Sequence, residues 1–424
     1  MRENFLITDF GAVGDGRSLS TVAIQEAIDK AALVKGRVII PAGQFLTGSL
    51  FLKSDIEFHL QENAVILGIQ DESLYPIIPS RVAGVEMEWP AGLINIIEQS
   101  EVEISGLGTI DGQGEYWWNK YWGSDKKGGM RKEYEAAGLR WAVDYDCSRP
   151  RNILVMNGEH IKISGITSRR SGFWNIHFCY CRHIHVEGIK IKDNEGPSTD
   201  GIDIDSCYDA VVENCDISCN DDSICVKSGR DADGLRVNRI CENVKIRNCQ
   251  LWAGSGITLG SETSGGIRNV RIENIRYMGT ECGFRIKSAR TRGGKIEDIF
   301  VDGLHMTNVK TCFPFQLNWN PAYSYCEVPS DWSKPVPPIW AVLAQTVEEE
   351  KGIPMVENVQ IQNVECTYTE DYQGEAVAFD VDAYSEKPMK DFKWKKVNIK
   401  AKEFGSIKNI QNWTWSDINI NLNK

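Results

Sequence analysis

A seven-residue pattern that recurs along the chain limits its fold more than any other feature. It reads polar, apolar, any residue, apolar, any residue, Gly or Asn, apolar. Its copies occupy residues 160–166, 183–189, 209–215, 243–249, 269–275, 298–304 and 358–364. The first two copies begin 183 − 160 = 23 residues apart, and those at Asn243 and Asn269 begin 269 − 243 = 26 residues apart. Because no copy can bury its apolar residues alone, the repeats must stack on one another.

The pattern predicts short strands joined by turns, with no helix inside the repeat. Alternating apolar residues place one face of each strand inward, and the Gly or Asn tolerates a positive φ at the turn. We therefore predict an all-β fold, a right-handed parallel β-helix that forms a single domain over residues 1–424. An antiparallel sandwich or a propeller would need hairpin dipeptides and larger blade units, which the repeats lack.

The first part of the chain predicts a cover for the open end of such a stack. Thr21 is placed to be the N-cap of a helix. Apolar residues follow it at helical spacing: Ile24, Ala27, Ile28 and Ala31. This amphipathic helix is expected to cap the N-terminal end of the solenoid. The β-branched segment 37–41, which ends at Pro41, is expected to be a strand.

Two long aromatic-rich stretches interrupt the repeats, at about residues 112–150 and 314–354. Their aromatic residues are Tyr116, Trp117, Trp118, Tyr121, Trp122 and Trp141 in the first, and Trp319, Tyr323, Tyr325, Trp332 and Trp340 in the second. Long loops on a rigid scaffold often carry binding residues. The aromatic rings could form the walls of a saccharide cleft or small cores that anchor the loops, and both interpretations stay open.

The charge of the chain restricts its partners. A formal net charge of −12 argues against nucleic acid and anionic membrane surfaces. It also disfavours an acidic polysaccharide unless basic residues gather at the site. No run of 18 apolar residues occurs, so we expect no membrane span. The first residues leave no room for a signal peptide, so we expect a periplasmic or secreted protein if the chain is a mature form, and otherwise a cytoplasmic one.

The thirteen cysteines indicate packing more than bridging or metal binding. Their number is odd, and Cys215 and Cys249 occupy the same position in two copies of the repeat, where small side chains would stack. No Cys/His set has zinc-ligand spacing, so we predict neither a metal nor a cofactor. The oligomeric state is left open.

Three aspartates in two short segments are the best candidates for chemistry. Asp200 lies in the segment 198–201, and the consecutive pair Asp221 and Asp222 follows 221 − 200 = 21 residues later, close to one coil. Stacking would bring all three together if the pair lies at a corner of its coil, since neighbours on a strand point to opposite sides. Crowded carboxylates raise one another's pKa, which provides the acid and the base that glycoside hydrolysis requires.

A basic pair further along the chain would complete such a site. Arg285 and Lys287 are two residues apart and so lie on one face of a strand. Together with Lys227 and Arg230 they could form the local basic patch that an acidic sugar requires. Each motif alone is common on solvated surfaces, but their order and coil-like spacing favour a joint site.

The motifs together resemble the polygalacturonase family, glycoside hydrolase family 28, in its bacterial form. That family carries Asn-Thr-Asp, a paired Asp, Gly-His-Gly and Arg-Ile-Lys motifs, which correspond to segments 198–200, 221–222, 254–256 and 285–287. Segments 9–16, 41–43 and 227–234 also resemble its bacterial members. The resemblance covers nearly the whole chain. This chain has Ser198 in place of the family's Asn and Ser255 in place of its His.

The resemblance implies a parallel β-helix and a hydrolysis that inverts the anomeric configuration. By that resemblance Asp221 is the general acid, and Asp200 and Asp222 activate the attacking water. Arg285 and Lys287, with Ser255 and Lys227 nearby, would bind the substrate and its galacturonate carboxylate. Ser255 cannot titrate near neutral pH as a histidine does.

Three hypotheses for the function follow. The first is a hydrolase of α-galacturonosyl linkages in pectic oligosaccharides or polysaccharides that acts from chain ends because the long loops close the cleft. Since rhamnogalacturonan-active branches of the family also lack the histidine, homogalacturonan and rhamnogalacturonan are both candidate substrates. The second is a polysaccharide lyase on a β-helix, which needs calcium and a basic catalytic residue. The third is a non-catalytic pectin-binding protein.

Overall fold

The fold is built almost entirely from short strands. The computed structural model describes residues 2–422. In the first half of the chain the strands are β1 Asn4–Leu6, β2 Asp15–Leu19, β3 Arg37–Ile40, β4 Gly43–Thr47, β5 Leu50–Phe51, β6 Glu57–Leu60, β7 Ala64–Gly68, β8 Ile77–Val82, β9 Val85–Pro90, β10 Ile94–Ile97, β11 Ser100–Gly106, β12 Thr109–Asp111, β13 Ile153–Met156, β14 Glu159–Ser164, β15 Thr167–Arg169, β16 Ile176–Cys179, β17 Arg182–Glu187 and β18 Lys190–Lys192.

The second half continues the series of strands. These are β19 Ile202–Asp205, β20 Tyr208–Glu213, β21 Asp216–Ile217, β22 Ile224–Lys227, β23 Cys241–Arg247, β24 Gln250–Leu251, β25 Ile257–Leu259, β26 Ile267–Met278, β27 Phe284–Lys287, β28 Lys295–Thr307, β29 Thr311–Gln316, β30 Met355–Thr367, β31 Val377–Asp382, β32 Met389–Ala401, β33 Glu403–Lys408, β34 Ile410–Gln411 and β35 Thr414–Leu422.

Helices occur only outside the repeats. They are α1 Thr21–Ala32, α2 Glu115–Trp122, α3 Gly129–Ala136, α4 Val143–Asp146, α5 Asp231–Val237, α6 Pro321–Ser324, α7 Pro338–Leu343 and α8 Glu349–Gly352, with 3₁₀ turns at Ile7–Phe10 and Glu72–Leu74. Among residues 2–422 none of these helices has the length and apolar character to cross a bilayer.

The strands stack as a parallel β-helix, which confirms the predicted fold. One sheet has eleven strands, β5, β10, β13, β16, β19, β22, β25, β27, β29, β31 and β33. We call it the site sheet, because the candidate active site lies on its outer face. The remaining strands form a 22-stranded sheet, except for the antiparallel hairpin β8–β9. Each coil contributes one strand to the site sheet and then continues through the larger sheet.

The core is a continuous column of stacked apolar side chains. The repeat's second residue pairs in register from coil to coil, in the order Ile161, Ile184, Ala210, Val244, Val270, Ile299, Val359 and Phe392. These offsets reproduce the predicted repeat lengths. The same core cluster extends from Ile7 to Ala401. Apolar burial of this kind is the main stabilising contribution, roughly 25 cal/mol per Å² removed from water.

Two left-handed residues bound each copy of the repeat. The predicted Gly or Asn at the sixth position has a positive φ in all seven copies, for example 53° at Asn274. The polar first position does so as well, with φ of 55° at His160 and 51° at Asn269, which the sequence did not suggest. Asn side chains at these corners also bond between coils, since Asn274 donates to Asn248 at 2.8 Å. The polar first position of the repeat therefore marks a second corner of the coil.

The N-terminal helix covers the end of the stack, with one correction at its start. Helix α1 buries Ile24, Ala27, Ile28 and Ala31, the residues that the spacing predicted. Thr21 is the first helical residue and not the N-cap, which is Ser20. The Thr21 hydroxyl instead accepts a hydrogen bond from the Gly48 amide at 2.9 Å, so it anchors the helix to the first coils.

The two long stretches fold into helices that pack against each other. Residues 112–150 contain α2, α3 and α4, and residues 314–354 contain α6, α7 and α8. They share a small core with the β8–β9 hairpin, in which Trp141 and Trp340 meet with ring centroids 5.4 Å apart. Most of their tryptophans are therefore loop anchors. Trp319 is an exception, because it lines a pocket together with Tyr323.

Arg230 ties both loops to the coils and is not part of a basic patch. Its guanidinium is fully buried and donates to the Tyr145 hydroxyl at 2.8 Å and the Tyr323 carbonyl at 2.7 Å. It also pairs with Asp231 at 3.0 Å. The helices cover it from solvent, which the linear sequence could not show.

All thirteen cysteines are free thiols, and twelve of them are buried. Cys215 and Cys249 lie in the core at the same position of two coils, as expected from the repeat. The Cys312 thiol donates a hydrogen bond to the Cys366 sulfur at 3.3 Å, and the two do not form a disulfide. The thiols therefore serve as small apolar side chains within the stack.

The left-handed corners predict a selective effect of substitution. Asn274→Ala should lower the free energy of unfolding by about 1–2 kcal/mol, because Ala pays the steric cost of the left-handed conformation. Asn274→Gly should change it by less than about 0.5 kcal/mol, because Gly adopts this conformation freely. Urea denaturation of the two variants checks this, and equal destabilisation by both would contradict it.

Candidate active site

The three aspartates meet at one corner of adjacent coils. Asp221 and Asp222 lie in the turn between β21 and β22, and Asp200 lies in the turn before β19. Strands β19 and β22 pair with an offset of 224 − 202 = 22 residues, which continues to Asp200 beside Asp222. One carboxylate oxygen of each aspartate lies within 4.8 Å of the others. The consecutive pair can reach one site because both residues precede the regular strand.

The backbone of the next coil fixes Asp221. The Ser255 amide donates to the Asp221 carbonyl at 2.8 Å. Gly254 has a φ of 90°, and a Cβ there would lie 2.3 Å from that same carbonyl, so only glycine allows this approach. Ser255 is half-exposed and lies beside the backbone of Asp221. Its amide is what holds Asp221.

Asp222 is fully buried and held by two cations and a hydroxyl. Arg285 donates to its Oδ1, and Lys287 donates to its Oδ2 at 2.8 Å. Thr258 donates to Oδ1 at 2.8 Å. Thr258 and Arg285 pair in register on β25 and β27, so the site sheet aligns these partners. The two cations that the sequence suggested for substrate binding are therefore engaged by Asp222 in this structure.

Lys227 lies at the centre of a second group of carboxylates. Its Nζ is 3.2 Å from Glu262, 3.5 Å from Asp203 and 3.7 Å from Asp200. The ammonium also lies 4.9 Å from the centre of the Trp174 ring, a cation–π contact. Lys227 is thus surrounded by acids and does not present a free positive charge.

Sequence reasoning missed Asp203 and Glu262. Asp203 could have been found, since it alternates with Ile202 and Ile204 and so points out of the core toward the site. Glu262 follows β25 in an irregular segment, where no periodicity signals its direction. Its position depends on how the chain turns after the strand.

Burial and neighbouring charges give these acids different pKa values. Burial, Asp203 and Asp221 together raise the pKa of Asp200 well above its usual range. Burial and the neighbouring Asp222 also raise the pKa of Asp221. Burial alone would raise the pKa of Asp222, but Arg285, Lys287 and Lys227 outweigh it and hold that pKa well below its usual range.

The two further acids differ in the same way. Burial raises the pKa of Asp203 to about 7, although Lys227 opposes the shift. Burial acts against ionisation of Glu262 too, but Lys227, Arg292 and Lys287 lower its pKa to about 2. Asp222 and Glu262 are therefore ionised, whereas Asp200, Asp203 and Asp221 retain protons more readily. Acids and bases of different strength thus coexist within one site.

A pocket of about 80 Å³ opens over these residues. Its lining comprises Ala83, Arg140, Asp144, Phe173, Trp174, Ser198, Asp200, Asp221, Lys227, Ser261, Glu262, Lys287, Trp319 and Tyr323. Arg140 and Asp144 come from the first long loop, and Trp319 and Tyr323 from the second. Asp222, Arg285 and Ser255 are outside this lining. Lys287 is buried at the edge of the pocket beside Trp319, with its ammonium 4.3 Å from the ring centre.

The three aspartates also have the composition of a cation site, as do two other clusters among residues 2–422. These are Glu159, His160 and His183 on the surface, and His177, Cys179 and Asp205 in the interior. At the aspartates a cation would compete with Arg285 and Lys287 for Asp222, and with Lys227 for Asp200. At the interior cluster Arg81 already pairs with Asp205 at 3.1 Å. The surface cluster lies outside the pocket.

The fold and the site together define a parallel β-helix protein with a carboxylate-lined pocket on one sheet. The model of glycosyl hydrolases family 28 matches residues 31–330, and the chain belongs to this family.

Two relatives are similar in sequence to most of this chain. A probable polygalacturonase of Vitis vinifera is 37% identical over 320 residues, which cover 72% of this chain and 61% of the relative. An exo-poly-alpha-D-galacturonosidase of Dickeya chrysanthemi is 29% identical over 335 residues, covering 72% of this chain and 55% of the relative. The matched region is thus less than two thirds of either relative's length.

A solved structure extends the similarity to the whole chain. The exopolygalacturonase of Thermotoga maritima superimposes with a TM-score of 0.80 at 26% identity, covering 99% of this chain and 92% of that one. The family 28 exopolygalacturonase of Yersinia enterocolitica superimposes with a TM-score of 0.77 at 21% identity and supports the fold alone.

The raised pKa of Asp200 predicts that ionisation of this residue destabilises the folded protein. A buried acid whose folded pKa is raised destabilises the folded state once pH exceeds its ordinary value near 3.8, because the unfolded chain ionises more easily. Asp200→Asn should therefore melt at a higher temperature than the wild type at pH 8, and the difference should shrink toward pH 4. Calorimetry over this range checks it, and a variant less stable at pH 8 would contradict it.

Proposed function

We propose that the protein is a glycoside hydrolase that cleaves α-galacturonosyl linkages of pectin from a chain end. The observation that carries the proposal is the pairing of acids in the pocket. Asp221 lines it with a raised pKa, and Asp200 lines it within the same group of carboxylates. A protonated acid and a proton acceptor that line the same pocket are what glycoside hydrolysis requires.

In this proposal Asp221 donates its proton to the leaving glycosidic oxygen, since burial and the charge of Asp222 favour its protonated form. Water attacks the anomeric carbon and gives a proton to Asp200. Asp222, ionised by Arg285 and Lys287, orients that water and stabilises positive charge that develops on the sugar. Asp222 is a weak base because the two cations stabilise its ionised form, so the accepting role falls to Asp200.

Binding of an acidic sugar is supported by the cations of the pocket. Lys287 and Arg140 both line it, and each lies over an aromatic ring, Trp319 and Tyr323 respectively. Each is also paired with an aspartate, Lys287 with Asp222 and Arg140 with Asp144. A galacturonate carboxylate would share Lys287 and Arg140 with these aspartates. Its binding would therefore add a negative charge beside the two cations without desolvating a free cation. Lys227 and Ser255 would contact the substrate more peripherally.

Action at a chain end is supported by the loops that wall the pocket. The β8–β9 hairpin contributes Ala83, and the two long loops contribute the opposite walls. Their joint packing through Trp141 and Trp340 makes the walls a fixed part of the scaffold. We infer that such walls favour entry of a polymer by its end. The names of the relatives from Dickeya and Thermotoga, both exo-acting, agree with this.

Inversion of configuration remains a proposal that rests on the family resemblance. Carboxyl groups of inverting enzymes are commonly about 6.5–9.5 Å apart, and those of retaining enzymes about 5–5.5 Å. The closest oxygens of the three aspartates lie within 4.8 Å, nearer to the retaining spacing. We favour inversion because Asp222 is bound on both oxygens by cations and is a poor nucleophile. The anomer first formed, observed by NMR during a digest, distinguishes the two.

Two other functions are less well supported. A lyase would need calcium and a basic group free to abstract a proton, whereas Arg285, Lys287 and Lys227 are all paired with carboxylates. A lyase would yield unsaturated products that absorb in the ultraviolet. A pure binding protein would not need acids of opposed pKa, and it would release no product from any oligosaccharide.

A digest of defined oligosaccharides tests substrate and mode together. On homogalacturonan oligosaccharides we expect monomeric galacturonate from the first minutes, with little fall in viscosity when the polymer is the substrate. Rhamnogalacturonan oligosaccharides of the same length serve as the comparison, because Ser255 leaves this linkage open. Early release of mixed long oligomers would contradict end-on action.

The acid itself is tested by substitution. Asp221→Asn should lower kcat by roughly 10²–10⁴-fold, the usual contribution of a general acid, with a small effect on KM. Glu115→Gln, an exposed acid on α2 outside the pocket lining, is the matched control and should leave kcat unchanged. Turnover of Asp221→Asn near that of the wild type would remove Asp221 from the proposed role.

A further inference from the structure

We propose that Asp203, behind the pocket, is a positioning residue that shares one proton with Asp200 and so lets Asp200 accept the proton of the attacking water. The inference rests on the proposed hydrolytic function and deepens it. Asp203 does not line the pocket and acts only through Asp200.

The position of Asp203 is unusual for a carboxylate. It lies on the outer face of β19, at 0% exposure, beneath Asp200 and Lys227. Neither of its oxygens accepts a hydrogen bond from a donor group within the described part of the chain. Buried carboxylates normally have several donors. A carboxyl group without donors is more stable when it carries or shares a proton.

The charges around Lys227 lead to the same conclusion. One ammonium faces three buried carboxyl groups, those of Asp200, Asp203 and Glu262. Glu262 is ionised, because Arg292 and Lys287 support it in addition to Lys227. If Asp200 and Asp203 were also both ionised, the group would carry two uncompensated negative charges in the interior. Such neighbours retain a proton between them, as in other carboxylate pairs.

Other charged and titratable groups around Asp203 do not replace this proton. They are His177 on β16, Arg151 before β13, Cys225 and Lys227 on β22, and Asp222 in the preceding turn. Burial lowers the pKa of His177 to about 4, so it is neutral near pH 7. Burial also keeps the Cys225 thiol neutral by raising its pKa. Lys227 is therefore the only cation within 4 Å of Asp203 among residues 2–422.

The proton balance of one turnover follows. Before attack the pair holds one shared proton, and attack takes place when that proton lies on Asp203 and Asp200 is ionised. As the glycosidic C–O bond breaks, Asp221 protonates the leaving oxygen, and the water oxygen bonds to the anomeric carbon while its proton passes to Asp200. The pair then holds two protons and releases one, while Asp221 regains one, so the net reaction is hydrolysis alone.

The pH profile of kcat/KM tests this with substitutions of Asp203 and Lys227. Asp203→Leu can neither hold the shared proton nor donate it toward ionised Asp200, so the acidic limb should move to higher pH by about one unit or more. Asp203→Asn, whose amide can still donate, should move the limb by less. Lys227→Gln removes the compensating cation, so the limb should move to higher pH. Asp205→Asn, the next outward residue of β19, is the matched control, since Asp205 pairs with Arg81 and should leave the limb in place.

The outcomes separate the two proposals. A wild type without activity on any pectic oligosaccharide would overturn the hydrolytic function itself. An active wild type whose Asp203→Leu variant loses activity uniformly, with the acidic limb unmoved or moved to lower pH, would overturn only the role of Asp203.

A second measurement covers the case in which Asp203→Leu does not fold. Carboxyl NMR of protein labelled at aspartate would follow the titration of Asp203 in the wild type and in Asp200→Asn. The shared proton predicts that Asp203 titrates at lower pH in Asp200→Asn, by about one unit or more, because its partner no longer ionises. An unchanged titration would overturn the inference.

Discussion

The register between neighbouring coils is the constraint on which everything else in this molecule depends. Parallel pairing fixes each side chain directly above its equivalent in the preceding coil, and a slip by one residue would turn every core residue outward. The same register places Asp200 beside Asp222 and Thr258 beside Arg285. The same register therefore both packs the apolar interior and brings the charged side chains of the site together. The left-handed corners at both ends of each repeat hold this register, because they fix where every strand begins.

Charge compensation explains how an acidic protein can be built around a sugar-acid site. Each cation near the pocket already has a carboxylate partner, and each partner is buried with it: Lys287 with Asp222, Lys227 with Glu262 and Arg140 with Asp144. The site is therefore not a positive patch on a negative surface. It is a network of ion pairs, and a substrate carboxylate that binds there would share the cations with the carboxylates already paired to them. The acids that lack sufficient cations are those that must hold protons, which connects the electrostatics directly to the chemistry.

The sequence was sufficient wherever periodicity determines position. The repeats predicted the parallel β-helix and the meeting of Asp200 with Asp221 and Asp222, because stacked coils convert sequence spacing into distance. The helical spacing of apolar residues predicted helix α1. It was insufficient where the chain leaves the repeat. Arg230 could not be recognised as a buried anchor, since the loops that cover it are remote in sequence. Glu262 lies in an irregular turn, and the partner of Arg285 depends on three coils at once. The division of the aromatic residues between loop anchors and pocket walls likewise required the packing of two loops against each other.

The thirteen free thiols make the unfolded chain, but not the folded one, prone to oxidation. In the folded chain they stay reduced, and even the sulfurs of the neighbours Cys312 and Cys366 lie 3.3 Å apart without a disulfide. Once the coils separate, the same thiols become exposed and close in sequence to many others, and in air they would oxidise into mismatched bridges. Heating would then trap the protein in covalently scrambled states, so its lifetime at high temperature is limited by the first unfolding event and not by the equilibrium between folded and unfolded chains.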